Sequence, residues 1–253
     1  MAKVAIIIPA RYASSRFPGK PLVKIAGMTM IERTYRQSKA SKLATQVLVA
    51  TDDERIKEEV TRFGGELIMT RDDHATGTDR LAEVAQLRPD IDIIVNVQGD
   101  EPLIKSEAID KVIAPLLEDA TVEMSTMAFP IETDEEIDSP QIPKVVVDKD
   151  GFALYFSRLP IPYHRDKVEG ADHKEVTYLG HAGLYVYRRE TLLRIAALPM
   201  GILENLEKLE QLRALENGIR IKVVTMPKGS RTPAVDVPAD VKTVESFLAT
   251  CAS

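Results

Sequence analysis

The sequence contains no tryptophan, one cysteine and only 5% aromatic residues. A lone cysteine, Cys251, rules out an intrachain disulfide framework, and a cytoplasmic location is the default expectation. The few aromatics are not interleaved with basic residues as single-stranded nucleic acid requires, and a net charge of -6 disfavours nucleic acid as a partner. No apolar run approaches the roughly 18 residues of a membrane span, so no membrane association is expected. Val4 to Ile8, stopped by Pro9, is too short for the apolar core of a signal peptide. The histidines His74, His164, His173 and His181 are not spaced as zinc ligands. Neither Gly-x-Gly-x-x-Gly nor the P-loop string occurs, which argues against dinucleotide-binding and P-loop readings.

What is present is ordinary for a globular chain: 253 residues, 44% apolar and 28% charged, enough to bury a sizeable core. Apolar runs alternate with helical patterns. Strands are predicted at Val4–Pro9, Gln46–Ala50, Glu66–Thr70 and Ile91–Val97, with helices following Met30, Asp52, Thr78 and Ser106. This β-α-β-α order predicts a mainly parallel sheet with right-handed crossovers. The second half reads as strands near 122–131, 144–148, 152–156, 181–187 and 220–225, with a hairpin turn at Asp150-Gly151 and a polar, mobile loop over 159–178. A helix from about Glu204 to Asn217 and a terminal helix from Ala239 complete the pattern. In the first of these, Leu203, Leu206, Leu209, Leu212 and Leu215 sweep a wide apolar arc, and Glu210 falls inside it. A carboxylate there is either shielded by a partner or used for a ligand.

The densest chemistry follows the first strand: Arg11-Tyr12-Ala13-Ser14-Ser15-Arg16-Phe17-Pro18-Gly19-Lys20. Open α/β sheets bind ligands beyond the carboxyl ends of their strands, and cationic side chains among small residues suit a polyphosphate. The matching acid ends another strand, in Gln98-Gly99-Asp100-Glu101-Pro102. Together they point to a nucleoside triphosphate with Mg²⁺. Asp52, Asp53 and Glu54 read instead as charges at a helix N-terminus.

The string from Arg11 to Leu22 closely resembles the signature of the CMP-Kdo synthetase family, the 3-deoxy-manno-octulosonate (Kdo) cytidylyltransferases. The match continues, in order, through Ala50–Arg55, Gly77–Arg80, Asn96–Pro102, Leu154–Pro162 and Leu206–Arg213. The resemblance implies a three-layer α/β/α nucleotidyltransferase fold, Rossmann-like and GT-A-like, with a mainly parallel mixed sheet and a smaller mixed-sheet lobe. It implies one domain over 1–253: a nucleotide half of about 1–120, and a sugar-binding and dimerisation lobe of about 121–225 before the C-terminal helix. It further implies CTP and an eight-carbon sugar acid as substrates, Mg²⁺ as cofactor, a homodimer, and a product used in lipopolysaccharide synthesis.

Carried over residue by residue, the resemblance gives Arg11, Arg16, Lys20 and Asp100 catalytic roles. The CTP site takes Ala10, Arg11, Ser14, Ser15, Arg16, Lys20, His74, Thr76, Gly77, Arg80 and Gln98. Gln98, Arg158, His181, Tyr185, Glu210 and Gln211 hold the sugar acid, with Arg158 on its carboxylate. Asp100 and Asp236 hold the metal. Departures from the family pattern fall at Ala75-Thr76, Gln141-Ile142-Pro143, Gly180 and Val237. Two of these lie on the sugar side, which raises a Kdo variant such as 8-amino-Kdo as an acceptor. The alternatives are a sialate-type cytidylyltransferase and a non-catalytic sugar-nucleotide sensor on the same fold.

Overall fold

Val4 to Ile8 are at most 1% exposed, as a strand covered on both faces must be. They open a computed structural model that describes residues 2–13, 17–165 and 177–251. The first half runs β1 (Val4–Ala10), a 3-10 turn at Lys20–Leu22, a hairpin of β2 (Lys24–Ile25) and β3 (Met28–Thr29), then α1 (Met30–Lys39), β4 (Gln46–Thr51) and α2 (Glu54–Arg62). It continues with β5 (Leu67–Met69), α3 (Gly77–Leu87), β6 (Ile93–Asn96) and α4 (Ser106–Glu118). The second half adds β7 (Met124–Pro130), α5 (Asp134–Asp138), β8 (Lys144–Val147), β9 (Ala153–Ser157) and β10 (Leu179–Arg188). It ends with α6 (Arg189–Ala197), α7 (Ile202–Glu207), α8 (Gln211–Glu216), β11 (Ile221–Thr225) and α9 (Asp240–Cys251). Helices α1, α2 and α3 begin where a side chain takes an orphan backbone N–H: Thr29 for α1, Asp53 for α2 and Thr76 for α3.

The main path of the sheet is β11-β7-β10-β6-β1-β4-β5. β1 pairs in parallel with β4 and β6, and β7 with β11, while β10 runs antiparallel to both β6 and β7. Alternate residues of β1 serve opposite layers. Ile6 and Ile8 pack with Ile31 of α1 and with Ile109 and Val112 of α4; Ala5 and Ile7 pack with Leu81 of α3 and Leu192 of α6. The result is the expected α/β/α sandwich with a mainly parallel mixed sheet. The strands of the second half complete that same sheet, and β8 and β9 extend it from the start of β10. Among the described residues no helix is long and apolar enough to cross a membrane.

One long strand creates the site. The last part of β10, Tyr185 to Arg188, pairs with β6, and its first two residues pair with β8. Between these stretches, among the described residues, Ala182 to Leu184 have no ladder partner on that edge of β10, and the carboxyl end of β6 opens into the gap.

Two expectations need revision here. The predicted helix over 204–217 is two short helices, because Lys208 adopts a left-handed conformation (φ 53°) that ends α7 before α8 begins. The leucine arc therefore does not exist as one surface: Leu209 and Leu212 are buried, whereas Leu206 is 74% exposed. Of the loop read over 159–178, residues 166–176 lie outside the described residues, and so does His173.

Candidate active site

Ala10 ends β1 and hands the chain to Arg11, whose Nη2 donates to the backbone oxygen of Thr76 at 3.1 Å. Ser14, Ser15 and Arg16 lie outside the described residues. The loop returns at Gly19, whose N–H donates to the Tyr12 oxygen at 2.9 Å. Gly19 has φ 71°, and a β-carbon there would lie 3.2 Å from the Tyr12 ring, so both conformation and space call for glycine. The turn that follows aims Lys20 inward. Its Nζ lies 2.7 Å from Asp100 Oδ2, 3.0 Å from the Val235 oxygen and 3.8 Å from Asp236 Oδ1. Asp100 arrives from the end of β6. Asp236 arrives from the segment before α9, fixed by Val235 N–H donating to the Asp100 oxygen at 3.0 Å. The cation of the opening loop and the two aspartates thus meet at one point.

Beside this point opens a cleft of about 690 Å³. Gln98, His181, Tyr185, Glu210 and Gln211 all line it, as does Gly77. Tyr185 donates its hydroxyl to Gln211 Oε1 at 3.0 Å, and Thr78 donates to Glu210 Oε2 at 2.7 Å. Among the described residues, the buried Gln211 Nε2 has no hydrogen-bond partner. A buried donor left in that condition is costly, so a group that satisfies it gains affinity. Glu210 is reached by solvent through the cleft but closely surrounded, and burial raises its carboxyl above the usual range while Thr78 opposes the shift. His181 Nε2 lies 2.9 Å from Thr126 Oγ1, and burial holds its pKa down to about 3, so the ring is neutral.

Three of the expected site residues lie against protein groups. Arg80, expected at the CTP site, is fully buried, 2.8 Å from Asp52 Oδ1, and donates to Thr70 Oγ1. Its place on the inner face of α3 turns it into the core. His74, expected at the same site, is buried against Glu83. Arg158, expected on the sugar-acid carboxylate, does not line the cleft. Its fork is taken up by the backbone oxygens of Glu207 (2.7 Å), Pro140 (2.9 Å) and Lys208 (3.3 Å). Thr76 caps α3, its Oγ1 accepting from Asp79 N–H and its own N–H donating to Asp79 Oδ2.

A family profile described as cytidylyltransferase matches residues 5–221. The 3-deoxy-manno-octulosonate cytidylyltransferase of Syntrophotalea carbinolica is 52% identical over 248 residues, covering 97% of this chain and 98% of that one. The chain belongs to the 3-deoxy-manno-octulosonate cytidylyltransferase family. The member from Geobacter sulfurreducens is 50% identical, with 95% of this chain and 97% of that one covered. A solved CMP:2-keto-3-deoxy-manno-octonic acid synthetase complexed with CTP superposes with a TM-score of 0.92 at 40% identity, covering 98% of this chain and 99% of that one.

For a cytidylyltransferase of this family the cleft also holds groups that motif reading passed over. Glu101 lines it, and burial, with Asp100 and Asp236 adding, pushes its carboxyl up to about 8. The signal was in view, since Glu101 stands beside Asp100 in a strand-end string. Thr78 lay inside the Gly77–Arg80 motif and could have been named as the partner of Glu210. Lys105 and Arg231 also face the cleft. No local pattern marks them, because they come from loops that only the fold brings there.

Proposed function

We propose that the chain is a CTP-dependent 3-deoxy-manno-octulosonate cytidylyltransferase. The anomeric hydroxyl oxygen of the sugar acid bonds to the α-phosphorus of CTP. The bond from that phosphorus to the bridging oxygen breaks, and CMP-sugar and pyrophosphate leave. The activated sugar then supplies lipopolysaccharide synthesis. The observation that carries this reading is the meeting of Lys20 with Asp100 and Asp236 beside a cleft with convergent polar groups.

In this reading Arg11 and Lys20 neutralise the triphosphate and the departing pyrophosphate charge. Gln98, His181, Tyr185, Glu210 and Gln211 hold the sugar hydroxyls, which gives the unpartnered Gln211 Nε2 an acceptor. Mg²⁺ belongs to the proposal. Asp100 and Asp236 are hard oxygen donors gathered round one ammonium, and Mg²⁺ is usually held by one or two carboxylates plus substrate phosphates. Among the described residues no group of three or more His, Cys, Asp or Glu forms a cage that would hold it without substrate. When bound, the ion neutralises phosphate charge and lowers the pKa of the attacking hydroxyl. Arg158 takes a supporting role, fixing the backbone at the break between α7 and α8.

The sugar-side departures have packing explanations. A β-carbon at Gly180 would lie 2.6 Å from the Phe129 ring, and the Pro143 oxygen accepts the His181 N–H at 2.7 Å. We therefore take unmodified Kdo as acceptor. The test is pyrophosphate release from CTP and Mg²⁺ with Kdo, 8-amino-Kdo or sialate. Turnover with Kdo is expected. Preference for the amino sugar would move the acceptor, turnover with sialate alone would overturn the reading, and CTP binding without turnover would favour a sensor.

A homodimer is also part of the proposal. Leu154 and Leu159, in and just after β9, and Ile202 and Leu206 of α7 are 63%, 70%, 76% and 74% exposed. The two elements are tied together, because Glu207 accepts from Ser157 Oγ at 2.7 Å and from Arg158 N–H at 2.9 Å. Apolar side chains in such number suit a protein–protein face.

A further inference from the structure

The segment Asp53-Glu54-Arg55 takes no part in the chemistry above, yet it lies at the carboxyl end of β4, beside the loop that carries Arg11 and Lys20. Arg55 sits in the first turn of α2, where the helix dipole favours acids and opposes cations. Helix preference therefore does not account for it. Its contacts do. Asp53 accepts from Arg55 N–H at 2.9 Å, and the same carboxylate takes Arg55 Nε at 2.9 Å and Nη2 at 2.6 Å. Fixed in this way, the guanidinium lies over the Tyr12 ring, with its carbon 3.2 Å from the ring centroid. Gly19 closes on the same residue, donating its N–H to the Tyr12 oxygen and packing against the ring. Tyr12 is thus held by α2 and by the returning limb of the loop.

We infer that Asp53, Arg55 and Tyr12 form a positioning clamp for the triphosphate site. The clamp sets Arg11, the neighbour of Tyr12, on one limb and Lys20, the neighbour of Gly19, on the other. The side-chain contacts of Arg11 with the Thr76 oxygen and of Lys20 with Asp100 must yield when an anion takes the two cations, so an anchor on the backbone beside them keeps the limbs in place through that exchange. A planar, weakly hydrated guanidinium stacked on an aromatic face provides one; an ammonium would not stack in the same way. The inference rests on the cytidylyltransferase reading, since nucleotide affinity is what the clamp governs.

The test compares Arg55→Met, Arg55→Lys, Tyr12→Leu and Tyr12→Phe with the unaltered chain. The readouts are CTP binding by calorimetry, the KM of each substrate, and Tm. Arg55→Met and Tyr12→Leu are expected to weaken CTP binding about fivefold, with the KM for the sugar acid unchanged. Arg55→Lys should recover only part of the loss, and Tyr12→Phe should bind CTP as the unaltered chain does. The double variant should be no worse than either single one, because both remove one contact. Unchanged CTP affinity in folded Arg55→Met overturns the clamp, as does an equal loss for both substrates accompanied by a fall in Tm. If Tyr12→Leu does not fold, the two Arg55 variants decide. Failure of the unaltered chain to bind CTP would instead remove the cytidylyltransferase reading itself.

Discussion

At 2.7 Å from Lys20 Nζ, the Asp100 carboxylate is the group whose loss should show most directly in rate. Asp100→Asn keeps its size and is expected to leave the fold intact while lowering kcat about 100-fold or more, as for a group acting mainly in the transition state. Full retention of rate would remove the phosphate and metal assignment. His181 gives a test of pH dependence. Its unfolded value is 6.5 and burial holds the folded value to about 3. Between these the unfolded chain binds the extra proton, so stability is lost as pH falls from 6.5 towards 3, by about 2 kcal/mol at pH 5. Urea denaturation at pH 7 and 5 should show a smaller difference for His181→Asn, and an equal difference would reject the neutral, buried ring. At this scale motif strings identified residues by their neighbours. Lys20, Asp100 and Asp236, which lie at strand ends or in a loop, come together in the structure. Arg80, His74 and Arg158 instead lie against Asp52, Glu83 and backbone oxygens, because a charged side chain beside a ligand motif is equally open to protein partners.

The strands and helices read from periodicity formed, apart from one helix that a single backbone conformation divides, while the β2–β3 hairpin, α5 and α6 were not anticipated. Lys208 ends α7 in a left-handed turn, which places Glu210 and Gln211 at the start of α8 and on the cleft wall. A non-glycine residue gives no local warning of that conformation, so leucine spacing alone predicted one helix. Gly180 shows the converse. An alanine there would place its β-carbon 2.6 Å from Phe129 Cε2 and 3.0 Å from Ile142 Cγ2, in a strand that also carries His181. Gly180→Ala is expected to cost about 1–3 kcal/mol and, in the proposed reading that puts the sugar acid against β10, to raise its KM more than that of CTP. A variant with unchanged Tm would show that Phe129 yields freely.

For the whole molecule, the apolar side chains of β9 and α7 carry the association prediction. Sedimentation at micromolar concentration is expected to give a dimer, and Leu159→Asp with Leu206→Asp a monomer. A dimer that persists in the double variant would place the interface elsewhere, and a monomeric unaltered chain would end the proposal. The layers that support this surface were foreseeable, since β-α-β order and right-handed crossovers leave few topologies. The joining of the second-half strands to the same sheet through β10 was not, because strand pairing is a non-local choice.

What the sequence by itself determined is the β-α-β-α succession of the first half, the buried character of β1, and the loop and strand-end strings that carry Lys20 and Asp100. Those features are local: side-chain spacing, caps and turn residues act within a few positions. Only the tertiary structure decided which charges face the cleft and which are spent inward, where the helix after Ile202 breaks, and how Lys20 comes to contact a segment 215 residues away. Burial and charge pairing are settled by whatever atoms the fold brings within a few ångströms, and the order of residues along the chain does not encode that distance.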